Sequence, residues 1–152
     1  VKTGMALWEA QQHCRDIIFV PAHYDLYTRY SGYTREIFLR FTDQVEPFGL
    51  DEAWLGCTAS QSLFGTGEKI AKKISDTVKD ELGITCSVGV SWNKVFAKLG
   101  SDYKKPDAIT VISKSNWKDI VFPLPATDLL YVGSRTIAFI QSGIWQPPIR
   151  IF

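Results

Sequence analysis

The run Phe48-Gly49-Leu50-Asp51-Glu52-Ala53-Trp54-Leu55 places two acidic residues side by side in an otherwise apolar, strand-like stretch. Carboxylates are costly to bury unless their charge is compensated. The chain is therefore expected to turn here, with Val45 to Phe48 and Glu52 to Cys57 as two strands around Gly49-Leu50-Asp51 and the acidic pair at or near the tip of a hairpin. Two environments satisfy that arrangement. Either both carboxylates stand in water where a strand ends, or a divalent cation compensates them, and oxygen donors of this kind suit magnesium. Adjacent strand residues point to opposite faces of a sheet, so Asp51 and Glu52 share an ion only where the strand still twists out of its turn. Two carboxylates are too few for a pair of magnesium ions, and the nearest other acids, Asp43 and Glu46, read as the exposed end of a helix and its connection.

Around this hairpin the apolar spacing alternates between helical and extended patterns. Met5 to Cys14 reads as a short helix and Ile17 to Val20 as a strand stopped by Pro21. From His23 to Thr42, Leu26, Tyr30, Tyr33, Ile37 and Phe41 recur at three- and four-residue steps and predict one apolar helical stripe. A second long helix is expected from Glu68 to Glu81, where Ile70, Ile74, Val78 and Leu82 step by four and Gly83 stops it. Thr85 to Ser91 alternates and is β-branched, as a strand is. Asn93 is placed to cap a helix over Lys94 to Tyr103, bounded by Pro106. A further strand, Ala108 to Ile112, a short helix or turn over Ser113 to Asp119, a proline-bearing linker over Phe122 to Thr127, and a short helix over Thr136 to Gln141 complete the pattern. The order strand–strand–helix–strand–helix–strand predicts an α+β fold with a split β-α-β arrangement of the ferredoxin-like kind.

With 152 residues, 45% hydrophobic and 22% charged, the chain has the composition of a globular protein able to bury a core. No stretch approaches the length of a membrane-spanning helix, and no secretory signal pattern opens the sequence. Cys14, Cys57 and Cys86 are odd in number and widely spaced, and His13 and His23 are not arranged about them as zinc ligands. They read as reduced, mostly buried thiols of a cytoplasmic protein.

Net charge is only +1, but lysines gather between Gln61 and Pro125. On the helix from Lys94, Phe96, Leu99 and Tyr103 are expected to face the core. Lys94 and Lys98, with Lys105 continuing their line, lie opposite. Such a line suits the phosphates of a nucleic-acid backbone or a triphosphate, and equally suits a solvated face. Gly133-Ser134-Arg135-Thr136 followed by Gly143-Ile144 is similar to half of a helix-hairpin-helix, whose backbone N–H groups bind anions.

Together these segments resemble the Y-family (translesion) DNA polymerases, the DinB or ImpB/MucB/SamB group. The resemblance runs through Val1 to Met5, Trp8 to Ala10, Ile18 to Pro21, Gly49-Leu50-Asp51-Glu52-Ala53, Cys86 to Val90, Asn93 to Leu99, Ser101 to Asp107 and Tyr131-Val132-Gly133. It implies a ferredoxin-like palm sheet with helices packed on it and the start of a helical thumb. The implied division is 1–44 as fingers and connecting helices, 45–121 as palm, and 122–152 as linker and truncated thumb. It implies template-directed nucleotidyl transfer past damaged bases with two magnesium ions, acting on primer–template DNA and an incoming deoxynucleoside triphosphate. A sliding clamp is a further partner, reached through a C-terminal region outside this sequence. Asp51 and Glu52 match two of the family's three metal-binding carboxylates, and Lys105 matches the lysine that contacts the triphosphate. By position, Lys94 and Lys98 fall near the DNA backbone, and Gly133 in the turn that holds it.

The departures are specific. The family's first metal-binding aspartate, the aromatic residue after it that excludes ribonucleotides and the residues that clamp the triphosphate do not occur here. Gly49 replaces a serine, Gly56 stands where aspartate is frequent, and Gln146 to Phe152 no longer reads like a thumb. The expectation is a fragment of such a polymerase. A catalytically inactive DNA-binding remnant is the alternative. A nucleotidyl cyclase with a palm-like fold fits less well, given the Lys105-Pro106 and Tyr131-Val132-Gly133 matches.

Overall fold

The structure is a computed structural model that describes residues 1–142. It is mixed α+β. In chain order come α1 (Leu7–His13), α2 (Tyr24–Leu39), β1 (Val45–Phe48), β2 (Glu52–Leu55), α3 (Gln61–Phe64), α4 (Gly67–Leu82), β3 (Val88–Val90), α5 (Lys94–Tyr103), β4 (Ile109–Val111), α6 (Trp117–Val121), a 3-10 turn (Ala126–Asp128) and α7 (Ser134–Gln141). Among the described residues no helix is long and apolar enough to cross a membrane.

The strands form two ladders and not the one continuous sheet expected. β1 and β2 are antiparallel, with Val45 opposite Leu55 and Phe48 opposite Glu52. β3 and β4 are parallel, with Val88 opposite Ile109 and Val90 opposite Val111, and α5 crosses between them. The hairpin lies where the sequence puts it. Gly49 opens its three-residue turn at a φ of 76°, a left-handed conformation that costs a side-chain-bearing residue far more than glycine.

The core is built on α4. Its Ile70, Ala71, Ile74, Ser75 and Val78 are buried, and Ile70, Ile74 and Val78 cluster with Ile37 and Phe41 from α2 and the residues just after it. Phe38, Leu55, Cys57, Phe64, Leu82 and Cys86 close over this cluster. The Thr66 hydroxyl accepts from the Lys69 amide at the start of α4, and Gly83 ends the helix. Arg40 grips Glu81 with two parallel hydrogen bonds of 2.5 and 2.8 Å, pinning the end of α2 to the end of α4.

The α2 stripe is present, but only its last turn is covered. Ile37 is 1% exposed while Tyr30 and Tyr33 are over 40% exposed, and the core cluster with α4 takes in Ile37, Phe38 and Phe41. The strand expected at Ile17 to Val20 does not form. Among the described residues no strand lies beside that segment to take its backbone hydrogen bonds, and Ile18 and Val20 stand in solvent. Cys14 is exposed, contrary to expectation, whereas Cys57 and Cys86 are half-buried and pack on the core. On α5, Leu99 is buried as expected, but Tyr103, the last residue of the helix, is exposed. The Gly143-Ile144 half of the hairpin-helix signal and the divergent tail after Trp145 lie outside the described residues.

The tightest approach in the fold is between α5 and β3. A Cβ built on Gly89 falls 1.8 Å from the Ala97 carbonyl oxygen and 2.6 Å from the Ser101 amide nitrogen, and one on Gly100 falls 3.1 Å from the Gly89 Cα. The obstacles are backbone atoms and cannot swing aside. Gly89→Ala is therefore expected to destabilise the chain by about 3 kcal/mol or more, beyond an ordinary overpacking cost. Urea denaturation measures this directly, and a loss under about 1 kcal/mol would show that α5 is not seated backbone-to-backbone on β3.

Candidate active-site surface

The pleat of the β1–β2 hairpin puts Glu46, Phe48, Glu52 and Trp54 on one face, since residues two apart, and residues directly opposite, share a side. Phe48 and Trp54 rings contact each other with centroids 4.7 Å apart. The N-terminal half of α5 lies against this face. The Asn93 side chain caps α5 by accepting from the Phe96 amide at 2.8 Å, which fixes where the helix begins. Lys94 and Lys98, one helical turn apart, then point the same way.

The contacts that result are ionic and aromatic. The Trp54 indole N–H donates to the Lys94 carbonyl at 3.2 Å, the Lys94 ammonium lies 5.4 Å from the centre of the Trp54 ring, and it pairs with Glu46. Lys98 reaches Glu52 Oε1 at 3.0 Å and Asp102 Oδ2 at 2.5 Å. Lys105 takes the other Asp102 oxygen, Oδ1, at 2.6 Å. A continuous chain of charge thus runs Glu52–Lys98–Asp102–Lys105. Asp51 sits in the hairpin turn, exposed.

Burial weighs on the middle of this chain. Only 17% of the Lys98 side chain is exposed, against 57% for Lys94. Burial alone pulls the Lys98 pKa down, but its hydrogen bonds to Asp102 and Glu52 outweigh that and raise it. Burial likewise pushes the Asp102 carboxyl up, and the bonds from Lys105 and Lys98 bring it below its ordinary range. Elsewhere burial raises the thiols of Cys57 and Cys86.

The structure therefore brings Glu52, Lys98 and Lys105 into one network and sets Asp51 beside it in the turn. Lys94 holds a separate pair with Glu46. Lys98, expected to face a DNA backbone, has its ammonium between two carboxylates. Gly133 stands apart at the start of α7, which packs on the 3-10 turn. Sequence reasoning gave no role to Asp102, Glu46 or Trp54. The Lys98–Asp102 spacing of four residues was the available signal for the first. The other two are revealed only by the docking of α5 on the hairpin.

Magnesium in phosphate chemistry is held by one or two carboxylates, with water and phosphate oxygens completing its shell. Asp51 and Glu52 are neighbouring carboxylates of the kind such a shell takes, and Glu52 is paired with Lys98. Among the described residues no group of three or more His, Cys, Asp or Glu side chains gathers to hold an ion.

The linkage of this network to pH has a definite sign. Asp102 has a lowered folded-state pKa, so its contribution is present above about pH 4 and is lost as pH falls through the lowered value. Lys98 has a raised one, so its contribution is present below about pH 10 and is lost as pH rises further. Glu81, lowered by Arg40, adds to the acid limb. Stability in urea is expected to be level through neutral pH and to fall below about pH 4. Asp102→Asn is expected to shallow that fall without abolishing it, and an unchanged acid limb would show that Asp102 is not paired in solution.

Comparison with known proteins places the chain in a family. The family model described as the impB/mucB/samB family matches residues 1–102. The chain is 54% identical over 136 residues to DNA polymerase IV of Acetivibrio thermocellus, covering 90% of this chain and 34% of that protein. It is 39% identical over 137 residues to DNA polymerase IV of Lactococcus lactis subsp. cremoris, covering 38% of that protein. Among solved structures, the insertion ternary complex of Dbh DNA polymerase superposes with a TM-score of 0.84 at 28% identity, covering 96% of this chain and 43% of the other. DinB from Sulfolobus solfataricus superposes with a TM-score of 0.82 at 29% identity, covering 95% of this chain and 43% of the other. The chain thus spans about a third of the length of the curated relatives it matches, and it belongs to the impB/mucB/samB family, that of the Y-family DNA polymerases IV and DinB.

Proposed function

We propose that this chain is the palm-centred part of a translesion DNA polymerase, acting on primer–template DNA and an incoming deoxynucleoside triphosphate. The observation that carries this reading is the docking of α5 on the acidic hairpin, which sets Asp51 and Glu52 beside a row ending in Lys105. In this reading residues 45–121 are the palm, 1–44 the fingers and connecting helices, and 122–152 the linker and start of the thumb. The two ladders are parts of one ferredoxin-like sheet that further polypeptide completes. A sliding clamp, if engaged, meets a region outside this sequence.

Each residue then has a task set by its chemistry. Asp51 and Glu52 are the hard oxygen donors for magnesium. Magnesium held by these two carboxylates would supply Lewis-acid charge for the attacking hydroxyl and the pyrophosphate leaving group. Lys105, exposed and flexible, offers its ammonium to the triphosphate as a point charge. Lys94 and the free backbone N–H groups after Gly133 face the DNA backbone. Lys98 serves the site from the inside, as the counter-charge of Glu52.

Primer extension with magnesium or manganese tests the reading. Extension by the parent chain is expected to fall at least about a hundredfold in Asp51→Asn, as removal of a charge-stabilising group does. Extension that survives Asp51→Asn would remove Asp51 from the site.

A second reading, DNA binding without catalysis, is favoured by one observation, that no third metal-binding side chain joins Asp51 and Glu52 among the described residues. It is expected to show as DNA affinity that falls with salt and is indifferent to Asp51→Asn. Lys94→Ala would reduce the slope of log affinity against log salt by about one. Absence of DNA binding at low salt would dispose of it.

A further inference from the structure

The Glu52–Lys98–Asp102–Lys105 chain is more than a set of surface pairs. Asp102 uses its two oxygens separately, Oδ2 for Lys98 and Oδ1 for Lys105. Lys98 in turn divides its ammonium between Asp102 at 2.5 Å and Glu52 at 3.0 Å. The contact to Glu52 is the longer of the two and the easier to break. The Lys98 side chain is mostly covered, and among the described residues its ammonium pairs with these two carboxylates alone. Lys105 is exposed and free to leave.

We propose that Asp102 is a positioning residue that couples the two ends of the candidate site. When an anion such as a nucleotide phosphate draws Lys105 away, Asp102 holds Lys98 with its whole charge, and Glu52 is released to a divalent cation. The proposal rests on reading Asp51 and Glu52 as cation ligands and Lys105 as a phosphate contact. It adds a route by which phosphate binding strengthens cation binding through the protein itself, beyond the direct attraction of the two ligands. Such coupling is reciprocal by linkage.

The physical reason is competition. An ammonium beside a carboxylate opposes the binding of a cation there by like-charge repulsion, and it must be displaced or redirected first. Asp102 redirects it, provided that Asp102 is not itself satisfied by Lys105. Removing Lys105 therefore mimics its capture by an anion, and removing Asp102 leaves Lys98 wholly on Glu52. These two changes act on the cation in opposite directions, and both act through Lys98.

Titration with Mn2+ alone, followed by its electron paramagnetic resonance signal, tests this without any turnover. Binding is expected to depend on Asp51. Partly exposed pairs shift affinity by small factors, so Lys105→Ala is expected to tighten Mn2+ about twofold and Asp102→Asn to weaken it about threefold. Lys98→Met, which keeps the covered alkyl stem, is expected to tighten it about fivefold, with Lys98→Gln as a second variant should Met disturb the fold. The decisive result is the double variant. In the Lys98→Met background the effects of Lys105→Ala and Asp102→Asn are expected to vanish. If they persist undiminished, they are long-range charge effects and the relay is overturned. Asp51-dependent binding that ignores Lys98→Met overturns the relay alone and leaves the cation site standing. No Mn2+ binding by any variant overturns the cation reading of Asp51 and Glu52, and the relay with it.

Discussion

Everything at the candidate site depends on how closely α5 lies on β3. Gly89 and Gly100 remove the side chains that would otherwise separate helix from strand, and backbone meets backbone across them. Close packing of this kind transmits position with little slack. It fixes the axis of α5, and the Asn93 cap fixes where along that axis the helix begins. Lys94 and Lys98 are thereby aimed at the hairpin face that carries Glu46 and Glu52. A looser seat would leave two long, flexible side chains to find their partners unaided, and exposed ion pairs contribute too little to order them.

The hairpin, α4, α5 and its cap were legible in the sequence because each rests on local chemistry. The step of four from Ile70 to Leu82, the asparagine before Lys94 and the glycine-led turn before Asp51 all act within a few residues. The failures share a cause. Ile17 to Val20 has the composition of a strand, but a strand is made by its neighbour, and among the described residues none lies beside it. The aromatic stripe of α2 has the right period, yet a period shows which face is apolar and not how much of it is covered. The ladders were expected to join because their order suggested one sheet, and joining depends on pairings far apart in sequence.

The same division holds at the site. The sequence singles out Asp51 and Glu52 as an acidic pair and Lys94, Lys98 and Lys105 as a line of phosphate-facing charge. Glu52, Lys98 and Lys105 in fact form a chain of alternating charge linked by Asp102, which the sequence shows only as one acid among lysines. Periodicity identifies the side of a helix. It does not reveal that the side is occupied by another element, and here the hairpin occupies it.

That occupation separates two lysines that the sequence makes equivalent. Lys94 is the first residue of α5, where the helix dipole is positive and a cation is disfavoured. Glu46 and the Trp54 ring offset this from the hairpin, and both members of that ion pair remain over half exposed. Such a pair is held weakly in water, and under the proposed function a polyanion would displace Glu46 from it at little cost. Lys98 lies one turn further in, where its ammonium and the Glu52 carboxylate are both largely covered. Separating these two leaves a half-desolvated charge unpaired, which costs more than breaking a surface pair. The outer lysine is thus suited to exchange its partner for a phosphate on the surface, and the inner one only for another carboxylate already in place. Asp102 is that carboxylate, and its position one turn along the same helix makes the exchange a short movement of one side chain.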